Sequence, residues 1–280
     1  MKTINKYLMC AVAGACLLTP VFAETIWIDD DFSTGDGDNI AGWKAIKSDQ
    51  VDAYAWVIGD GKLNLLTNNK SWNGSGRTNN LGTYSDVAGT SFTMSTDMII
   101  NDETTAPGAG SWISANTRLG FSFLGSNNSN PWASTLNNTS YYAILRGNGN
   151  LVIGQVNAAA YTELATSTTG FGNLVMGTVS YTMTLDGIYN DLGGLDLTFS
   201  VENNAGDSHS VSYSVDTTPY AGQYFGYFTW QGDNHDGGNT RLNLDFDYFR
   251  LAEYTVIPEP STIALLGVGA GLLFFLRRRK

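Results

Sequence analysis

The chain has 280 residues, with 15 basic and 26 acidic side chains, a net charge of −11, 32 glycines, 7 tryptophans and only two cysteines. That charge balance excludes an electrostatic binder of nucleic acid or of anionic membrane surfaces, because both would repel it. Both cysteines, Cys10 and Cys16, fall in the first two dozen residues, which excludes a disulfide scaffold for the rest.

Lys2 and Lys6 precede an apolar run from Tyr7 to Leu18. Pro20 breaks it, and Val21-Phe22-Ala23 forms a small-residue cleavage pattern. This order predicts a secretory signal peptide over 1–23, removed by signal peptidase after Ala23. A lipoprotein reading through Cys16 is weakened by Ala13, which stands where a large aliphatic is usual. The segment 24–255 then reads as one domain. Between Glu24 and Pro260 only nine basic residues face all 26 acidic ones, a net charge of −17.

Within that segment β-formers recur in short alternating runs. Thr25–Asp29 is a first strand, followed by the acidic turn Asp29-Asp30-Asp31 with Asp36 and Asp38 beyond. Tyr54–Ile58 and Leu63–Thr67 flank Gly59-Asp60-Gly61, a hairpin turn. Asn68–Asn80 reads as a polar loop carrying Trp72 and Arg77. Phe92–Ile100 alternates as a half-buried strand, and Arg118–Leu124 follows. Tyr141–Arg146 and Leu151–Val156 flank Gly147-Asn148-Gly149-Asn150. Tyr181–Ile188, Leu195–Asn203, Ser210–Val215, Tyr224–Trp230 and a single closing strand Leu242–Leu251 complete the series. Many short strands with turns between them predict an all-β fold, an antiparallel jelly-roll sandwich.

The last residues, 256–280, are of another kind. Pro258-Glu259-Pro260-Ser261 precludes regular structure. Thr262–Leu276 is an uncharged run of 15 residues, short of the roughly 20 that a permanent helical span needs. Arg277, Arg278, Arg279 and Lys280 form a cationic stop that stays cytoplasmic.

Two resemblances follow. The DDFS turn, the Trp-bearing strand with its GDG hairpin, the late paired strands and the closing FDYFRL strand resemble concanavalin A-like (LamG-like) jelly rolls. That resemblance implies glycan binding, polysaccharide cleavage or a structural role, and often a structural Ca²⁺ where the first and last strands meet. The Pro258-Glu259-Pro260-Ser261 triplet-plus-serine, the short apolar helix and the Arg cluster resemble the PEP-CTERM sorting signal. It implies export, a transient inner-membrane anchor, processing by an exosortase-type membrane peptidase, and delivery to the cell envelope or extracellular polysaccharide.

Catalytic patterns are missing. Glycosidases need two carboxylates across a cleft, and the sparse glutamates form no E-x-D-x-x-E pattern. Gln223-Tyr224-Phe225-Gly226-Tyr227 is superficially similar to a tyrosine-bearing strand of jelly-roll lyases, without the accompanying Gln-x-His and Arg-Glu-Arg elements. His209 and His235 neighbour no nucleophile. The expectation is a non-enzyme, with a divergent hydrolase or lyase and an adhesive matrix module as alternatives. Asp245 and Asp247 share one strand face. Together with Asp30 and Asp31 they are candidate ligands for Ca²⁺, against the plainer reading of a solvated face. Trp72, Trp112 and Trp132, in or beside polar loops, are the candidate glycan-stacking residues. Aromatics on an open face would favour glycan binding. Two carboxylates, or a Tyr/His/Arg set, in a cleft would favour catalysis.

Overall fold

The structure, a computed structural model, describes residues 22–33, 43–47, 56–59, 61–67, 72–77, 90–101, 113, 115, 117–126, 139–158, 160–174, 177, 179–222, 224–230 and 242–256. It is an all-β antiparallel sandwich, as the alternating runs predict. One sheet has nine strands. Its path runs β13 (Ser208–Val215), β12 (Leu195–Asn203), β11 (Ser180–Tyr189), β6 (Thr90–Asn101), β15 (Leu242–Phe246), β4 (Lys62–Thr67) and β3 (Trp56–Gly59). Beside that path, β16 (Phe249–Val256) pairs with β1 (Phe22–Asp30) and with β6. The other sheet runs β10 (Ala160–Thr166), β9 (Leu151–Asn157), β8 (Thr139–Arg146), β7 (Arg118–Gly125), β14 (Tyr224–Trp230), β5 (Trp72–Arg77) and β2 (Trp43–Lys47). Thr25–Glu253 forms one compact unit. Beyond it, the Tyr254 hydroxyl donates to Glu24 Oε1 at 3.0 Å.

The core is the slab between the sheets, filled by the inward half of each alternating strand. Along β6 every second residue is buried: Phe92, Met94, Thr96, Met98 and Ile100. Phe121, Phe199, Tyr227, Phe246 and Phe249 meet it from neighbouring strands, with ring centroids 4.1 to 6.4 Å apart. Each such side chain contributes about 1.5–3 kcal/mol by leaving water.

Thr96 is the polar exception in that row. Its hydroxyl lies 2.8 Å from the Tyr227 hydroxyl and donates to the Tyr248 carbonyl at 2.5 Å, while Tyr227 donates to the same carbonyl at 2.7 Å. This corrects the expected single strand Leu242–Leu251. The chain breaks at Asp247–Tyr248, where the Tyr248 carbonyl turns inward to these two hydroxyls, and Phe249 takes the core position that alternation assigns to Tyr248. The expected polar loop Asn68–Asn80 is also corrected, since Trp72–Arg77 is strand β5, paired with β14 and β2. Strands β2 and β10 are further additions.

Candidate functional site

The predicted residues are distributed as follows. Ala23 is exposed in β1, and Trp72 opens β5. Trp112, Trp132, Asp36, Asp38, His235, Pro258, Glu259, Pro260, Ser261, Arg277, Arg278, Arg279 and Lys280 lie outside the described residues. The first and last strands are neighbours, because β1 pairs with β16.

Three of the four aspartates proposed for Ca²⁺, Asp30, Asp31 and Asp247, are engaged by the protein itself. Asp30 Oδ1 accepts from the Phe32 amide at 3.0 Å, and Asp31 Oδ1 from the Ser33 amide at 3.0 Å. The Ser33 hydroxyl and amide hold the Asp31 carboxyl below the usual carboxylate range. These two turns seat Phe32, which is fully buried at φ 53°. That left-handed conformation costs about 1–2 kcal/mol in a non-glycine residue and is offset by its burial. Asp245 and Asp247 alternate with the buried Leu244 and Phe246, as the strand pattern predicts. Lys62 Nζ pairs with Asp247 Oδ1 at 2.9 Å, and that bond raises the lysine's pKa. Among the described residues no group of three or more His, Cys, Asp or Glu is placed to hold a metal ion.

A cleft of about 520 Å³ opens at one end of the sandwich, lined by Ser126, Thr139, Tyr220, Gly222 and Tyr224 with Pro219 and Ala221. Ser126 and Thr139 are the two feet of segment 127–138, which carries Trp132. The Ser126 amide donates to the Thr139 carbonyl at 2.9 Å, and the Thr139 amide to Ser126 Oγ at 3.0 Å. The opposite wall fits flush on the end of β7. A Cβ at Gly222 would lie 2.0 Å from the Gly125 carbonyl oxygen, so only glycine fits. Tyr220 is half-buried, its ring 4.7 Å from Tyr141, which stacks on Phe123. Burial pushes the Tyr141 hydroxyl up to about 12 and raises Tyr220 too. Both phenols stay neutral at physiological pH, and the half-buried Tyr220 presents a hydroxyl that donates and accepts. Tyrosine rings beside serine and threonine hydroxyls make an amphipathic cleft, of the size that holds small ligands.

A second cluster lies at the other end of the same strands, on the outer face of the seven-stranded sheet. Arg118 of β7 stands directly opposite Arg146 of β8 and opposite Trp230 of β14, and Trp230 stands opposite Trp72 of β5. One rung of the sheet therefore reads Arg146, Arg118, Trp230, Trp72. The Arg118 guanidinium sits 4.4 Å from the centroid of the Tyr161 ring, and Tyr161 stacks on Tyr142 at 4.7 Å. Arg146 is ion-paired with Glu163 of β10, which also accepts from Thr166 and Tyr161. Tyr142 reaches Tyr161 across Gly154, and its hydroxyl donates to the Thr162 carbonyl at 2.9 Å. Burial lowers the Arg118 pKa and raises those of Tyr142 and Tyr161. Sequence reasoning missed this cluster because β10 was not recognised, and register alone brings Arg118 and Arg146 together. His209 is elsewhere, edge-on to Phe171 on β13, and Tyr227 is wholly internal.

Comparison with known proteins adds two findings. Residues 256–280 match the PEP-CTERM protein-sorting motif. A search of curated protein sequences finds no relative. Among solved structures, the metal-free lectin I-B4 of Griffonia simplicifolia is similar at TM-score 0.51 and 11% identity, over 82% of this chain and 99% of the lectin. The Bauhinia forficata lectin in complex with GalNAc is similar at TM-score 0.50 and 10% identity, over 85% of this chain and 100% of the lectin. The marine PL-14 alginate lyase of Aplysia kurodai overlaps at TM-score 0.46 and 9% identity, over 68% of this chain and 82% of the lyase. The chain thus carries a PEP-CTERM protein-sorting motif at residues 256–280, and its β-sandwich is a jelly roll of the legume-lectin, concanavalin A-like kind.

Proposed function

We propose that this is an exported, non-catalytic glycan-binding protein. Signal peptidase removes 1–23. An exosortase-type membrane peptidase processes the chain at Pro258-Glu259-Pro260-Ser261, and the domain is released to the cell envelope or extracellular polysaccharide. The PEP-CTERM motif supports the route. The observation that carries the binding role is the end cleft, lined by Tyr220 and Tyr224 together with Ser126 and Thr139. A pyranose ring has apolar C–H faces and a hydroxyl perimeter, and such a cleft complements both. Trp132, in the segment between the cleft's two feet, is the candidate for a further stacking surface.

The test is a glycan array with the exported protein, run together with a polysaccharide-depolymerisation assay. Retention of saccharides without released product is the expected result. Product release overturns the non-catalytic reading in favour of a divergent hydrolase or lyase. Retention of no saccharide leaves a structural or adhesive matrix module.

A further inference from the structure

We propose that β13 is a dimerisation edge, through which two copies of this chain join their nine-stranded sheets about a two-fold axis. The described strands leave five edges: β13, β3 and β1 in one sheet, β10 and β2 in the other. An open edge offers unpaired backbone groups to any other chain, and proteins blunt it with charge, proline, a bulge or short length. Four of these five edges are blunted in such ways. β3 has 4 residues. β1 carries Glu24, Asp29 and Asp30, and β2 carries Lys44 and Lys47. β10 holds Glu163 and a register shift between Glu163 and Ala165. β13, in contrast, is 8 residues long, pairs with β12 without a shift, and contains no Asp, Glu, Lys, Arg, Pro or Gly.

The hairpin that opens β13 fixes which groups face the open side. The Asn203 amide donates to the Asp207 carbonyl at 2.9 Å. Antiparallel pairs alternate between bonded and non-bonded, so His209, Val211, Tyr213 and Val215 bond to β12. The N–H and C=O groups of Ser208, Ser210, Ser212 and Ser214 then point away from β12, and all four serines are exposed. The Ser212 hydroxyl agrees with this assignment, lying 3.0 Å from the Thr198 hydroxyl, the closer side-chain approach of a non-bonded pair. An antiparallel copy centred on Val211 sets Ser210 opposite Ser212 and Ser208 opposite Ser214, the pairs whose main chains exchange bonds. Val211 meets its own counterpart, His209 meets Tyr213, and no acid stands opposite an acid. That self-match selects a second copy as the occupant. Nine basic residues against 26 acidic ones between Glu24 and Pro260, a net charge of −17, oppose the approach of two copies. An uncharged edge lets them meet without like charges facing each other. Each copy has one such edge, so the assembly closes at two chains. A dimer carries two end clefts and so gains avidity on a polymer; this consequence, unlike the pairing, rests on the binding role proposed for the cleft.

Analytical ultracentrifugation of the exported protein at rising concentration tests the proposal, in about 0.01 M and about 0.15 M salt, where the screening length falls from about 30 Å to about 8 Å. A monomer–dimer equilibrium with no larger species is expected, and the dimer fraction should rise with salt as the two acidic bodies are screened. Ser212→Pro removes an outward N–H that β12 does not use, a change an edge strand tolerates. It should weaken the dimer at least about ten-fold, through the hydrogen bonds lost on both copies. Ser212→Ala keeps the main chain and should dimerise like the unaltered protein. A single-chain mass at every concentration overturns the proposal. So does a dimer fraction that falls with salt, or full dimerisation of a Ser212→Pro protein whose melting temperature is unchanged. If Ser212→Pro does not fold, Ser212→Glu decides, because it leaves the main chain intact and sets an acid against the partner's edge. It should abolish the dimer at low salt, and its full dimerisation there overturns the proposal. No glycan enters these measurements, so the pairing and the cleft reading fail separately.

Discussion

At position 154 a single hydrogen atom decides how the outer face is built. Tyr142 crosses β9 there, and a Cβ on residue 154 would stand 1.7 Å from its hydroxyl oxygen and 2.6 Å from the Thr162 carbonyl oxygen. Gly154→Ala must therefore push the Tyr142 ring off Tyr161 and break its bond to Thr162. Overpacking of this kind costs about 1–3 kcal/mol, which a denaturant titration would report as a lower midpoint. The buried phenols make a second prediction. Burial raises Tyr141 to about 12, and raises Tyr142 and the fully enclosed Tyr227 as well, against 10.0 for a free tyrosine. A raised folded-state pKa means that the unfolded chain loses its protons first. The contribution of these groups is therefore complete below pH 10 and is lost as pH climbs from there towards about 12. Phenolate absorbance followed with pH should rise in two stages, the exposed tyrosines first and the buried ones together with unfolding. A single stage for all tyrosines near the free value would contradict the buried assignments.

At the scale of the element, legibility followed side-chain chemistry. Strands whose inward positions carry Phe, Met, Leu and Tyr, such as β6, β7, β8, β12 and β14, were readable because burial imposes a period of two. The hairpins at Gly59–Gly61 and Gly147–Asn150 were readable from their turn residues. β5 was not, because its WNGSGR sequence carries weak strand propensity and is held by two neighbours that sequence order does not reveal. β10, an edge strand with a mostly exposed pattern, gave no burial signal. The Arg118–Arg146 pairing was unreadable for the same reason. Register is set by the whole sheet, and a shift of one residue would send either arginine to the other face. The strand break at Asp247–Tyr248 depends on hydroxyls of Thr96 and Tyr227, 152 and 21 residues away from Tyr248 in sequence. The acidic turn was readable as a turn, and the carboxylates of Asp30 and Asp31 cap backbone amides within it. A melting temperature unchanged by a chelator would remove the structural Ca²⁺ expected at Asp30, Asp31, Asp245 and Asp247, and a fall of several degrees would support it.

For the whole molecule, the two ends and the middle make separate statements. The middle is a strongly acidic jelly roll without cysteine, stabilised by an aromatic slab. The tail is a sorting motif whose apolar run is too short for a durable span. Intact-mass spectrometry of the protein recovered from its native host should show a C-terminus at the Pro258–Ser261 motif. A mass that retains Lys280 would make the tail an anchor. The central claim is that the domain binds sugar in its end cleft. Its most direct measurement is calorimetric titration of the best array glycan into the exported protein and into its Tyr220→Ala variant. Loss of the ring should weaken binding by about 1–3 kcal/mol, roughly five-fold to 150-fold, with an unchanged melting temperature. Equal affinity in the two proteins would contradict the account.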